Sequence, residues 1–475
     1  MAPRPLASGA GLDTARWAEQ ELGDAPLGDV RPGRRLVRCA QVQAQAPRAS
    51  FPGAAQSDRA LVKGYYRLMD RPDDTQVTPR RILAPHRART LQRMQQAGRV
   101  LCVQDGTALN FAEHPGCAGL GLTGRNRASA GTLGLHMHSL LVLDAQGVPL
   151  GVPHIQYDTH HGSRTARWQE GLKACAALAA EREGVRPVAV MDREGDIFTR
   201  FRHPQDQGTY DLLVRSQHDR SLGPDQPRLW ATLARGAAQA QRTLAVPRPS
   251  ARASTRRQPA RKARAARQAR VGLRWRTLTV PPPRNGADRH AKPVTLYGLL
   301  VQEDTPPPGV KPRVWRLLTT VPITCEADAV QVLTWYQLRW RIEDWYRVLK
   351  TGCRVEYLGH RTGDRLERAV TMPAVIAWRL LALTLLGRET PERPATLLFT
   401  TLEIQVLQDR ARHRHWDIPV TLGTTVLTLA RLGGYLARNH DPPPGPPTIW
   451  EGYTRLGERT AAYETLRGCL RRGRM

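Results

Sequence analysis

Apolar and polar positions are sorted most sharply between Trp335 and Lys350, in WYQLRWRIEDWYRVLK. Wound at about 100° per residue, Trp335, Leu338, Ile342, Trp345 and Leu349 gather on one side of a helix. Tyr336, Arg339, Glu343 and Lys350 fall within an arc of roughly 60°, centred about 110° away. The pattern predicts one continuous helix that packs on its apolar side and displays a phenol, a guanidinium, a carboxylate and an ammonium in line. A carboxylate among cations suits two tasks, ligation of a divalent metal and a seat beside phosphates. A solvated face laced with charge pairs has the same pattern.

Elsewhere the periodicities alternate between helix and strand. Up to about residue 70 the chain predicts short helices: one holding Trp17 and Leu22 behind Asp13 or Thr14, one with Arg31, Arg34, Arg35 and Arg38 near its start, and one capped by Ser57 or Asp58 with Lys63, Tyr65, Tyr66 and Arg67 inside. Interleaved Arg and Tyr on small helices suit phosphate contact, and equally an ordinary basic surface. Thr78-Pro79 opens a further helix to about Gln96, with a kink expected at Pro85. Val100–Val103 reads as a buried strand that ends on Asp105 and a turn glycine, Gly106. Gly134–Asp144 and Val152–Tyr157 read as a hairpin turning at Gly147. An amphipathic helix over about 165–183 comes next, with Trp168, Leu172, Cys175 and Leu178 inward. The strand PVAVM then ends on Asp192, and TYDLLVRS (209–216) is one more strand.

A strand with an Asp, a hairpin, a helix, a second strand with an Asp, a third strand and a later helix with a Glu match the order of an RNase H-like mixed sheet. The fold class expected is therefore α/β, with carboxylates on two strand ends and one helix converging at the sheet edge. Between about 217 and 325 this order is interrupted by a β-rich insertion containing VTLYGLLVQ and VWRLLTTVPI. Residues 251–276 of it hold ten Arg or Lys and no acid, the composition of a partly flexible basic arm. Beyond Lys350 the pattern is helical, and TMPAVIAWRLLALTLLG and TLGTTVLTLARLGGYLARN are apolar enough for core or interface. Three regions result: a helical domain at 1–70, a catalytic domain at 71–375, and a helical region at 376–475.

Charge decides the partner. A formal net charge of +29 over 475 residues implies a polyanion, most simply nucleic acid. No apolar run near ~18 residues and no signal-peptide core stand out, and the cations are spread through folded segments, so a membrane surface is not expected. Seven scattered cysteines without a CxxC fit a reducing compartment and so an intracellular chain. No P-loop or dinucleotide fingerprint appears, so no nucleotide cofactor is expected. His136 and His138 alternate on one strand and His160 and His161 follow another, without zinc spacing; core or substrate-adjacent places suit them. Asp105, Asp192 and Glu343 are the candidate catalytic residues. Phosphoryl transfer with two Mg²⁺ ions, for which Mn²⁺ substitutes, needs such hard oxygen ligands.

Tyr336, Arg339, Glu343 and Lys350 together form the spacing Tyr, two residues, Arg, three residues, Glu, six residues, Lys. With VQDGTALNF, VMDREGDIF and LLVRSQH, and with LGDVRPGRRLV and GYYRLMDRP before them and ARLGGYLARN and IWEGYTRL after them, the chain resembles the bacterial insertion-sequence transposases of family four, in particular their Tn-five branch. The resemblance runs nearly the full length, in order. It implies an RNase H-like core, an N-terminal DNA-binding domain and a C-terminal dimerisation region. It also implies a homodimer that pairs two transposon ends and acts on double-stranded DNA, ends and target alike, by Mg²⁺-dependent cut-and-paste chemistry. The compartment it implies is the bacterial cytoplasm, with nucleoid association when DNA is bound. Asp105, Asp192 and Glu343 are then the metal ligands. Tyr336, Arg339 and Lys350 are then phosphate contacts, and Trp315 is a stacking face for a flipped base or a residue of the insertion's core. Arg347, Arg215, Arg34, Arg35, Arg38, Lys63 and Arg67 are further expected DNA contacts. Two alternatives remain: an end-binding regulator decayed from such an enzyme, and a nuclease of the same fold without strand transfer.

Overall fold

The structure is a computed structural model that describes residues 16–56, 58–71, 76–95, 97–114, 116–125, 131–159, 164–246, 266–439 and 441–471. The chain begins with α1 (Trp17–Leu22), α2 (Val30–Gln45), α3 (Phe51–Ala54), α4 (Arg59–Met69) and α5 (Pro79–Met94). Strands β1 (Arg99–Asn110), β2 (Gly121–Arg125), β3 (Gly131–Asp144) and β4 (Pro149–Asp158) follow. Then come α6 (Arg164–Ala180), β5 (Arg186–Met191), α7 (Phe198–Gln207), β6 (Asp211–Arg215) and α8 (Leu229–Ala234). Strands β7 (Ala240–Val246), β8 (Arg267–Val280), β9 (Val294–Glu303) and β10 (Val314–Thr319) lead to α9 (Glu326–Leu338) and α10 (Arg341–Arg347). The chain closes with α11 (Gly363–Glu389), α12 (Thr401–His413), α13 (Leu422–Leu432) and α14 (Pro446–Arg471). These form two compact units, one of Met1–Pro187 with Arg339–Met475, the other of Val188–Leu338.

In the first unit β3 pairs antiparallel with β1 and with β4, and β2 joins its first residues. The β3–β4 hairpin turns at Gly147, whose φ of +91° is a left-handed conformation that suits glycine. Successive strand residues face opposite ways, so Gln104 and His138 point to one face of β1–β3 and Asp105 and Ser139 to the other. Helix α6 covers the first face: the His138 and Trp168 rings meet edge to face at 4.8 Å, and a Cβ on Gly171 would overlap the Gln104 amide. His138 is therefore a core residue; His160 and His161 lie outside the described residues. One expectation about β1 is corrected. The strand does not stop at Asp105 but continues through Gly106 to Asn110, because β3 supplies a partner for every residue from Val100 to Asn110.

A buried charge cluster ties α1 to this framework. Glu21 is fully buried; Arg93 of α5 donates to it at 2.6 Å, and the Nδ1 of His86 stands 2.5 Å from its second oxygen. The amide of Val152 in β4 donates to His86 Nε2 at 2.9 Å, which fixes His86 as the neutral Nδ1–H tautomer. Burial acts in the same direction, pushing the His86 pKa down. On Glu21 burial acts to raise the pKa, but Arg93 first and His86 second outweigh it and hold the carboxyl at about 2.

Helix α11 has 27 residues and is long and apolar enough to cross a membrane, which the sequence pattern had not suggested. The whole of its apolar window is buried, against β4, α5, α13 and α14, so it is the core helix of this unit. Arg379 within it donates to the Tyr453 hydroxyl at 3.0 Å and to the Leu398 carbonyl.

The second unit is a mixed sheet. Strands β5 and β6 run parallel, and β6, β10, β9, β8 and β7 follow antiparallel in that spatial order. The insertion is thus continuous with the sheet. Of the basic arm expected at 251–276, residues 251–265 lie outside the described residues, and 267–276 are not flexible but the first ten positions of β8. Strand pairing explains this: β7 pairs residues 267–273 and β9 pairs residues 271–280, so every position of the stretch has a ladder partner whatever its composition.

Candidate active site

The stretch expected as one helix is broken. Helix α9 ends at Leu338, Arg339 and Trp340 form a turn, α10 runs to Arg347, and a π-helical turn spans Val348–Gly352. The break changes what the polar arc presents. Tyr336, on α9, is only 2% exposed, and its ring meets Trp315 of β10 edge-on at 5.8 Å. Trp335, Ile342, Trp345 and Leu349 are buried as the pattern predicted.

In the first unit, β1 and the turns after Leu338 bring two of the candidate carboxylates to one cation. The Arg339 side chain, 7% exposed, donates to Asp105 Oδ2 at 3.0 Å and to Glu343 Oε1 at 2.9 Å. The Gly106 amide donates to Asp105 Oδ1 at 2.8 Å. Tyr346 donates its hydroxyl proton to the Asp105 carbonyl at 2.7 Å, and Lys350 Nζ donates to the Ala108 carbonyl at 2.5 Å. Glu356 stands 3.7 Å from that ammonium and accepts from the Asn110 amide at 2.8 Å. Residues 339, 343, 346 and 350, spaced four, three and four apart, thus lie along one side of the helical turns and face β1. Burial lowers the Lys350 pKa while Glu356 opposes the change; burial, with Asp105 adding to it, pushes the Tyr346 phenol well above its ordinary value.

Expected phosphate ligands are here engaged with protein groups: Arg339 with two carboxylates and Lys350 with a strand carbonyl. The donor chemistry of Asp105 and Glu343 fits a hard divalent cation, since both offer carboxylate oxygens and already share a single positive charge. Among the described residues no three His, Cys, Asp or Glu side chains stand together as a metal cluster. Trp340, 50% exposed, has the Arg339 guanidinium 4.8 Å from its ring centre; its exposed indole is a feature the helix pattern did not single out.

In the second unit Asp192 follows β5 directly, where the sequence predicts it, and its Oδ1 accepts from the Glu194 amide at 2.8 Å. The neighbouring Asp196 is a buried structural carboxylate that accepts from the Gln217 and His218 amides and from Arg220. A cavity of about 380 Å³ opens beside these turns, lined by Arg193, Arg215, Arg316, Trp230 and Gln217 among others. The Arg316 guanidinium lies 4.4 Å from the Trp230 ring centre, and Arg215 donates to the Val314 carbonyl at 3.3 Å. Of this group only Arg215 was expected. Arg193 and Arg316 were legible as neighbours of Asp192 and Trp315; Trp230 carried no local signal.

The remaining expected DNA contacts lie on the surface. Arg34 and Arg38 of α2 and Lys63 and Arg67 of α4 are exposed, whereas Arg35 is half-buried, packed against Gly64. The Asp29 and Asp58 side chains cap these two helices. Arg347 is exposed and paired with Asp344 at 3.3 Å.

Comparison with known proteins gives two family matches. Residues 135–379, just over half of the chain, match the model of the transposase DDE domain, and residues 14–73 match that of a transposase DNA-binding domain. Asp192 and Glu343 fall within the first match; Asp105 precedes it. Among solved structures, the chain is similar to the piggyBac transposase synaptic complex with hairpin DNA, at 10% identity and a TM-score of 0.33 over 80% of this chain. The chain spans 61% of the length of that protein, and a likeness of this size carries no argument about function.

Proposed function

The chain belongs to the DDE transposases, and from that premise we propose that it is an insertion-sequence transposase of family four, in its Tn-five branch, acting by cut and paste. The observation that carries the reading is the junction of Asp105 and Glu343 on Arg339, a site of two hard carboxylates and a cation on adjoining elements of one unit. Asp105, Asp192 and Glu343 would hold Mg²⁺ or Mn²⁺, two ions per site. Such ions supply activation of the attacking oxygen and stabilisation of the leaving one. Arg339 holds both carboxylates in place by donating to each. The three guanidiniums of the second unit's cavity give a backbone phosphate a cationic seat, and the half-buried Trp315, backed edge-on by the buried Tyr336, offers its ring to an unstacked base. In this reading residues 1–70 bind DNA, 71–375 are the RNase H-like catalytic domain with its insertion at 217–325, and 376–475 support a homodimer on paired ends.

The reaction proposed is a series of phosphodiester exchanges. Water cuts one strand at the transposon end. The freed 3′ hydroxyl attacks the opposite strand and closes a hairpin, water reopens it, and the 3′ ends attack target DNA. Each exchange breaks one phosphodiester, and those with a hydroxyl form another, so no nucleotide cofactor is required. The test is cleavage in Mg²⁺ of a labelled duplex carrying the inverted repeats that flank the gene, with Glu343→Ala beside the wild type. Hairpinned ends from the wild type alone support the reading. Binding without cleavage in either protein refutes it in favour of an end-binding regulator, and nicks that never become hairpins refute it in favour of a nuclease.

A further inference from the structure

Tyr346 belongs to neither the carboxylates nor the cations of the site, yet it joins them at the backbone. Its ring is 5% exposed, with the Trp345 ring centre 5.0 Å away, and its hydroxyl reaches the carbonyl of Asp105 itself. Ser139, the cross-strand partner of Asp105, faces the same hydroxyl from β3. Asp105 is thereby gripped at three atoms: Oδ2 by Arg339, Oδ1 by the Gly106 amide and the carbonyl oxygen by Tyr346. The first two act on the carboxylate, which rotates about its side-chain bonds. The third fixes the backbone from which that carboxylate hangs.

The far end of this hydrogen bond matters as much. Tyr346 follows Glu343 by three residues, nearly one turn, so both project from the same side of the helical turns. A strand carbonyl tied to position 346 is therefore tied to the backbone that carries Glu343. Lys350 repeats the device one turn further on, at Ala108. A small, hard divalent ion demands oxygens at about 2.0–2.1 Å in near-ideal geometry, so displacement of β1 by a few tenths of an ångström changes how well two carboxylates serve it.

We propose that Tyr346 is a positioning residue: its hydrogen bond to the Asp105 carbonyl sets the separation of the Asp105 and Glu343 carboxylates and so the affinity of that pair for a divalent metal. The proposal rests on the reading of those carboxylates as metal ligands. Tyr346→Phe isolates the hydroxyl, because the ring and its burial remain. The probe is Mn²⁺ bound to the full-length protein without DNA, followed by the loss of the free-ion electron paramagnetic resonance signal. Wild type, Tyr346→Phe and Glu343→Ala are compared, with thermal unfolding and duplex binding measured on each.

Loss of a supporting hydrogen bond behind a metal ligand costs on the order of tenfold in affinity. Tyr346→Phe is expected to weaken Mn²⁺ binding by about that factor while duplex binding and far-ultraviolet dichroism stay as in the wild type. Raising Mn²⁺ in proportion then restores its cleavage rate, a rescue that a merely structural residue would not show. Mn²⁺ affinity equal to the wild type within about twofold, well short of the loss expected, overturns the proposal. So does a variant whose cleavage stays impaired at saturating Mn²⁺. Wild-type protein that binds no Mn²⁺, or Glu343→Ala that binds it as well as the wild type, overturns the metal reading and the proposal with it.

Discussion

Glu21→Gln removes the one negative charge on which His86 and Arg93 converge, and the structure allows its cost to be worked out. The native carboxyl is held at about 2, against an ordinary 4.5. At 1.36 kcal/mol for each pH unit of that difference, the folded state gains roughly 3 kcal/mol from the ionised form. Because His86 is neutral, Arg93 supplies most of this. An independent figure agrees: removing one partner of a buried pair and leaving the other uncompensated costs about 3–5 kcal/mol. The sign of the pH dependence follows from the depressed pKa. The contribution is fully present above pH 4.5 and is lost as pH falls from there through about 2. Urea unfolding followed by circular dichroism at pH 7 should show Glu21→Gln less stable by about 3 kcal/mol. Between pH 5 and pH 3 the wild type should lose stability more steeply than the variant, and the two curves should converge. Protease should cut near α1 sooner in the variant, since Glu21 supplies the buried polar link from α1 to α5 and, through His86, to β4. A loss below about 1 kcal/mol at pH 7, or identical acid slopes, would refute the account.

The exposed cations of α2 and α4 carry a separate expectation. Replacing Arg34, Arg38, Lys63 or Arg67 by Ala should each lower the slope of log affinity against log salt by about one phosphate's worth, measured by fluorescence anisotropy on a duplex; an unchanged slope removes that residue from the interface. Glu367 titrates the other way. Burial first, then Asp364, raises its carboxyl to about 7 from 4.5, so the folded state binds the proton more tightly and loses stability as pH rises through that range. Glu367→Gln should therefore be the more stable protein at pH 8, by about 2 kcal/mol once partial exposure is allowed for, with the advantage gone near pH 4; thermal unfolding at both pH values reads it.

What the sequence reveals and conceals here divides along the range of the forces involved. Local signals were faithful: the Asp58 cap, the Thr78-Pro79 start of α5, the glycine turn between β3 and β4 and the inward face of α6 all lie as the pattern predicts. Asp192 at the end of β5 was readable for the same reason. The errors come from partners distant in the chain. Gly106 looks like a turn until β3 is laid beside it, and the cations of 267–276 look like a loose arm until β7 and β9 flank them. The arc of Tyr336, Arg339, Glu343 and Lys350 assumed an unbroken helix, and nothing in WYQLRWRIED, which lacks Gly and Pro, announces the turn at Arg339 and Trp340. Asp105 lies 234 residues from the guanidinium it accepts from, so the pairing that organises the site has no local trace.

The burial of α11 on every side bears on the chain before it is native. The apolar window of this helix, fit for lipid by length and composition, has to stay out of lipid until its cover is in place. Synthesis delivers that cover in two instalments: α5 and β4 are made before α11, α13 and α14 after it. A product ending near residue 400 would carry the first instalment and lack the second, with one flank of an apolar helix open to water. Shortened forms of this protein are thus drawn towards aggregates, chaperones or membranes instead of forming a smaller stable version of it. The helices after residue 420 act as a solubility cover, with the exposed Arg455, Glu458 and Arg459 of α14 turned to the water.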